Sequence, residues 1–169
     1  MKLKFSLLTL LSLLLLTIGF AQKTVVDIAV SSPIHTTLVS ALKSADLVET
    51  LKGKGPFTVF APTNVAFDKL PAGTVDGLLK PASKDKLIEI LTYHVVAGNL
   101  NAAAVVKAIN DGKGTATLTT LSSIKLTLSL NNGKVILTDE QGRKSTIVQK
   151  DLKASNGFIH VIDDVLLPK

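Results

Sequence analysis

The sequence predicts an α+β fold, with helices first and an antiparallel sheet second. Three observations carry this. Apolar residues recur at spacings of three and four up to about residue 111. From Thr115 onward the period becomes two. Gly-, Pro- and Asn-containing turns separate the segments. No internal repeat, linker or low-complexity stretch appears beyond the leader, so the 148 residues after Ala21 fit one domain.

Taken in order, Ile34, Leu38, Ala41, Leu42, Ala45 and Val48 predict a helix over 34–51. Gly53 and Gly55-Pro56 end it. Phe57 to Phe60 reads as a short buried strand, and Pro62 forces Ala61 into an extended conformation. Thr63 or Asn64 caps a short helix running to Lys69, ahead of Pro71. Thr74–Leu79 offers another helical turn. Ser83 is the expected cap of a helix over 84–93, with Leu87, Ile90 and Leu91 on one face. Val95-Val96 is a short strand closed by Gly98. Asn101 caps a helix carrying Ala102, Val105, Val106 and Ile109, which Asp111-Gly112 ends.

In the second half Ile124, Leu126, Leu128 and Leu130 alternate with Lys125, Thr127 and Ser129, so one strand face is buried and the other wet. Asn131-Asn132-Gly133 supplies a hairpin turn, and Val135 to Leu137 returns antiparallel. Glu140-Gln141-Gly142 turns the chain again. Lys144–Lys150 and Phe158–Ile162 are two further strands, separated by Ser155-Asn156-Gly157.

Composition excludes several function classes. There is no cysteine, hence no disulfide, thiolate nucleophile, zinc finger or iron–sulfur cluster. Tryptophan is absent, and beyond the leader the aromatics are Phe57, Phe60, Phe67, Tyr93 and Phe158. That leaves little for stacking bases or sugars. Nineteen basic residues stand against 13 acidic ones, a net charge of +6. The excess is spread along the chain, unlike a nucleic-acid footprint.

The N-terminus reads as an export signal. Met1-Lys2-Leu3-Lys4 is a short positive start. Phe5 to Phe20 is uncharged and leucine-rich, and Gly19-Phe20-Ala21 has small residues where a signal peptidase reads. Cleavage is expected after Ala21. The alternative, an uncleaved anchor, needs about 20 apolar residues, and this run has 16. No cysteine follows to carry a lipid. The expected product is a secreted protein with no stable membrane insertion.

Catalytic and ligand motifs fail. There is no G-x-S-x-G elbow. The S-x-x-K spacing occurs at Ser40–Lys43, Ser83–Lys86 and Ser122–Lys125, without the partner motifs of penicillin-binding enzymes. Gly53-Lys54-Gly55 and Gly112-Lys113-Gly114 lack the rest of a phosphate-binding fingerprint. His35, His94 and His160 lie far apart and form no i, i+4 pair. No catalytic residue, metal site or cofactor is expected, and the chain is not expected to be an enzyme.

Three segments stand out: Phe57 to Phe67, Leu91 to Gly98 with Tyr93-His94 at its centre, and Asn156 to Asp163 followed by Val165-Leu166-Leu167-Pro168. In that order they resemble the two long boxes and the central Tyr-His motif of the fasciclin-like domain family, also known through the beta-ig-h3 proteins. The resemblance runs over about residues 24–168. It implies a wedge of two antiparallel β-sheets with about seven strands and helices packed along one edge. It also implies secretion or surface attachment, and an adhesion or matrix-contact role without catalysis.

In animal members the Tyr-His motif and its branched apolar flanks are implicated in integrin binding. Tyr93 and His94 match it here, flanked by Leu87, Ile88, Ile90, Leu91, Val95 and Val96. The family's second adhesion element is an Asp-Ile pair, matched by Asp151 and Leu152. Leucine replaces isoleucine, and Lys153 stands where an apolar residue is usual. The resemblance thus marks Tyr93, His94, Asp151 and Leu152 as partner-binding residues, with a cell-surface or extracellular matrix protein as the expected partner and no nucleic acid.

The residues themselves leave a structural reading open. His94 at a helix end suits free carbonyls, and Tyr93 buries its ring while satisfying its hydroxyl. His160 is expected to be partly buried and hydrogen-bonded, and its replacement by Ala to cost about 1–3 kcal/mol. Asn156-Gly157 and Thr63-Asn64 read as backbone devices. A different function class, a carrier of a small apolar ligand between sheet and helices, would use the same leucines and valines.

Overall fold

The computed structural model describes residues 23–169, so the leader and its cleavage site lie outside the described residues. Chain entry is helical. Thr24 and Asp27 form a reciprocal capping box that opens α1 (Val25–Val30). The helix expected over 34–51 is broken in two, α2 (Thr36–Ser44) and α3 (Val48–Lys52), after a 3-10 turn at Pro33–His35. The break is a Schellman motif. Asp46 takes the left-handed conformation (φ 55°), its N–H donates to the Lys43 carbonyl (3.2 Å), and the Leu47 N–H donates to the Leu42 carbonyl (3.0 Å). Aspartate tolerates this position better than most residues.

The remaining elements follow the expected order: β1 (Phe57–Pro62), α4 (Asn64–Asp68), α5 (Thr74–Leu78), α6 (Lys84–Tyr93), β2 (Val95–Ala97), α7 (Ala102–Asp111), β3 (Thr115–Thr119), β4 (Lys125–Asn131), β5 (Lys134–Thr138), β6 (Lys144–Ala154) and β7 (Gly157–Ile162). Thr63 is the cap of α4, its hydroxyl accepting from the Ala66 N–H (3.2 Å). Asn64 does a different job: its Oδ1 accepts from the Thr37 N–H (3.0 Å), satisfying the start of α2. Asn101 caps α7 through the Ala104 N–H (2.8 Å). Ser83 makes no side-chain cap; it ends a 3-10 turn that runs directly into α6.

The seven strands lie in the order β2-β1-β7-β6-β5-β4-β3. Every neighbouring pair is antiparallel except β1 and β7, which run parallel from Phe57↔Gly157 to Pro62↔Ile162. A bridge between Val96 and Thr120 brings the far ends of the order together, so the mixed sheet is nearly barrel-shaped. The β6–β7 pairing is irregular, with register shifts between Ile147 and Gln149 and between Gln149 and Leu152.

The parallel pair explains the sequence pattern. β1 and β7 have apolar packing on both faces, so they read as continuous apolar runs. Val59, Ala61 and Ile159 face the helices with Leu38, Leu42, Leu87 and Leu91. Phe60 and Ile162 face the other way, against Leu126, Leu128, Leu137 and Ile109. β4 has only one buried face, which gives its strict alternation.

Candidate functional site

Tyr93 and His94 end α6, and both are buried, at 0% and 2% exposure. The His94 Nδ1–H donates to the Ile90 carbonyl (2.8 Å), one of the carbonyls left free at the helix end. Its Nε2 accepts from the Leu166 N–H (3.0 Å). These two bonds require the neutral ring, protonated on Nδ1. Burial drives the pKa down to about 4, against a smaller opposing pull from the Ile90 carbonyl and the Asp139 carboxylate. The His94 carbonyl accepts from the Phe60 N–H (2.9 Å). One residue therefore ties α6, β1 and the C-terminal segment together.

The Tyr93 hydroxyl donates to the Lys125 carbonyl (3.1 Å), fixing α6 to β4. Burial raises its pKa to about 12. Neither ring offers surface to a partner in the folded domain. The partner-contacting role that the resemblance attaches to Tyr93 and His94 has no exposed side chain through which to act; their physical work is to hold backbone.

Asp151 and Leu152 lie elsewhere, in the irregular part of β6. Asp151 is exposed and left-handed (φ 60°). Its Oδ1 accepts from the Ala102 N–H (2.7 Å), placing a negative charge at the N-terminus of α7. Its own N–H donates to His160 Nδ1 (3.3 Å), while the His160 Nε2–H donates to the Leu100 carbonyl (2.8 Å). His160 is fully buried, and burial lowers its pKa. Leu152 is half-buried against the helical side of the core. Phe60 links the two regions: its N–H meets His94, and its ring stacks on His160 with centroids 5.8 Å apart.

Asp151→Ala is expected to cost about 1–2 kcal/mol, from the lost charge-assisted bond to α7, read as a lower urea midpoint with an unchanged slope.

One determinant, Asp139, was not evident in the sequence, and Asn156, expected as a backbone device, reaches farther than a turn residue would. Asp139 has a fully buried carboxylate that accepts from the Gln141, Arg143 and Leu167 N–H groups and pairs with the Arg143 guanidinium at 3.0 Å. Asn156 uses its whole amide: Oδ1 accepts from the Val25 N–H (2.9 Å), and Nδ2 donates to the Leu51 (2.8 Å) and Gly53 (3.0 Å) carbonyls. It joins α1, the end of α3 and the β6–β7 turn. Asn156→Ala is expected to lose about 2–3 kcal/mol by urea unfolding, and Asn156→Asp, which keeps only the acceptor, to be destabilised as well.

Among the described residues no group of three or more His, Asp or Glu side chains could hold a metal ion. The apolar space between sheet and helices, bordered by Leu42, Phe60, His94 and Ile159, is about 20 Å³, room for about one water.

A groove runs between α7 and β6. Ala102, Val106 and Lys150 border it along its length, Val148 (58% exposed) lies at one end and Asp151 at the other. No helix among the described residues is long and apolar enough to cross a membrane.

Comparison with known proteins agrees with this architecture. The family model described as the fasciclin domain matches residues 33–168. The Synechocystis protein sll1483 is 50% identical over 145 residues, covering 86% of this chain and 73% of the relative. The immunogenic protein MPB70 of Mycobacterium bovis is 39% identical over 155 residues, covering 89% and 72%. The cell surface glycolipoprotein MPB83 of the same species is 38% identical over 155 residues, covering 89% of this chain and 63% of that protein. A fasciclin domain pair from the insect cell adhesion molecule fasciclin I superposes with a TM-score of 0.74 at 22% identity, over 86% of this chain and 51% of the pair, a likeness of fold. The match indicates no catalytic family. On the extent of the domain match and these identities, the chain belongs to the fasciclin domain family.

Proposed function

We propose that this protein is an exported, non-catalytic adhesion module, cleaved after Ala21, that contacts a cell-surface or extracellular matrix protein. The observation that carries this reading is the use made of the two motif histidines. His94 and His160 each commit both ring nitrogens to backbone groups, leaving neither free for a substrate. The chemistry-bearing side chains of the motifs serve the scaffold, and recognition falls to the surface. The name of one relative, a cell surface glycolipoprotein, supports the location.

The contact surface in this reading is the α7–β6 groove, with Asp151 at one end, the exposed Val148 at the other and Lys150 along it; Leu152, beside Asp151 in β6, anchors that end to the core. Tyr93 and His94 contribute by fixing the elements behind it. A small exposed apolar side chain beside a charge suits a modest protein contact.

The test is attachment of the producing cells to surfaces coated with the mature protein. Val148→Glu/Lys150→Glu is expected to lower attachment at least tenfold, and Tyr93→Phe, which keeps the ring buried, to leave it unchanged. Equal attachment to the wild type and the double variant removes this surface from consideration.

A further inference from the structure

A second surface carries a different chemistry. Where the α3–β1 loop meets the β6–β7 turn, a shallow cleft of about 620 Å³ is bordered by Lys52, Lys54 and Lys153, with no carboxylate in its lining. Between the lysines lie neutral hydrogen-bonding groups, Asn99 and Ser155. Lys52 has a loose pairing with Asp27 at 3.7 Å. Among the described residues Lys54 and Lys153 enter no salt bridge. None of its lining residues belongs to the groove of Asp151.

The floor is rigid. The Asn156 amide pins it to α1 and α3, the Ser155 N–H donates to the Lys23 carbonyl (2.9 Å), and the Gly98 N–H donates to the Pro56 carbonyl (2.9 Å). Flexible lysine stems thus rise from fixed backbone positions around one concavity. Like charges gathered on a fixed frame repel one another, and an anion placed between them relieves that repulsion.

We propose that this cleft binds a polyanionic glycan, a sugar chain bearing carboxylates or sulfates. Several dispersed cations require more than one negative charge on the ligand. The open, shallow shape suits an extended chain, and the hydroxyl and amide groups between the lysines match sugar hydroxyls. The large aromatic in its lining, Phe158, is half-buried, and none of the exposed large apolar side chains, Val30, Ile34, Val65, Leu121 and Val148, lines the cleft, so it offers little apolar surface to a lipid.

The experiment is affinity electrophoresis of the mature protein through gels containing polygalacturonate, dextran sulfate, or neutral dextran. A parallel arm sediments phosphatidylglycerol vesicles with the protein. Retardation is expected in at least one charged gel and not in neutral dextran, and it weakens as salt rises. The two charged gels tell carboxylate from sulfate. Lys54→Glu/Lys153→Glu is expected to weaken retardation at least tenfold at an unchanged thermal midpoint. Lys43→Glu/Lys144→Glu, the same charge change on exposed positions elsewhere, is expected to weaken it less than threefold. Equal losses for the two double variants, retardation in neutral dextran, no retardation in either charged gel, or sedimentation with vesicles in preference to glycan overturns the proposal.

Discussion

Gly157→Ala is expected to abolish cooperative folding, or to lower stability by more than about 4 kcal/mol. A Cβ at position 157 would stand 1.8 Å from the Phe57 carbonyl oxygen and 2.9 Å from the Phe57 nitrogen. The obstacle is backbone, on the strand paired with it in parallel, so no side chain can swing aside. Relief requires β1 and β7 to part where the Phe57 N–H donates to the Asn156 carbonyl (2.9 Å). These strands separate the two halves of the core, so the disturbance reaches both. Gly133→Ala is the control. It too has a positive φ (75°), but a Cβ there meets nothing within 4 Å, so only backbone strain of about 1 kcal/mol is expected. Urea unfolding of the two variants checks the ordering; comparable losses remove the steric explanation.

The second large effect is loss of stability in acid, centred on His94. Its folded pKa is lowered to about 4 from an ordinary 6.5. Between those values the unfolded chain binds a proton at this residue and the folded chain does not. Stability is therefore complete above pH 6.5, falls as the pH drops toward 4, and levels off below it where both states are protonated. The gap corresponds to about 3 kcal/mol. Burial is the main source of the resistance, and protonation would also turn Nε2 from acceptor to donor against the Leu166 N–H. His35 and His160 are shifted the same way by burial and add in the same direction. His94→Gln is expected to be less stable than wild type at pH 7 by about 2–4 kcal/mol and to show a shallower decline between pH 6.5 and 4. Parallel declines in the two proteins would show that the acid sensitivity arises elsewhere.

Together these predictions treat the motif residues as fasteners. Tyr93 and His94 stand out in the sequence because an aromatic and an imidazole interrupt an apolar run where a helix ends. Their chemistry permits either a contact or a clamp, and only their depth, behind β1 and the C-terminal segment, favours the clamp. Asp151 gives no sequence signal of its bond to α7, because Ala102 lies 49 residues away. Asn156 could be read as a turn residue, but its three partners come from segments over 100 residues distant.

The helical break at Asp46 was hidden for another reason. Apolar spacing continues across 34–51, and a left-handed aspartate leaves no mark comparable to glycine. α1 was legible in principle: Thr24 and Asp27 have capping-box spacing, three residues apart, ahead of an apolar pair.

What the sequence by itself determined is local. The switch from period 3.6 to period 2, the Asn132-Gly133 turn and the cap at Asn101 follow from interactions within a few residues, and the structure reproduces them; of the two candidate caps of α4, Thr63 and Asn64, it uses Thr63. Tertiary structure alone decided that β1 pairs parallel with β7, which distant backbone groups the His94 and His160 rings lock, and that Lys52, Lys54 and Lys153 share one cleft. Each of these depends on a link between residues at least 60 positions apart. Periodicity reports which face of an element is apolar, while the partner of that face is set by packing the whole chain at once.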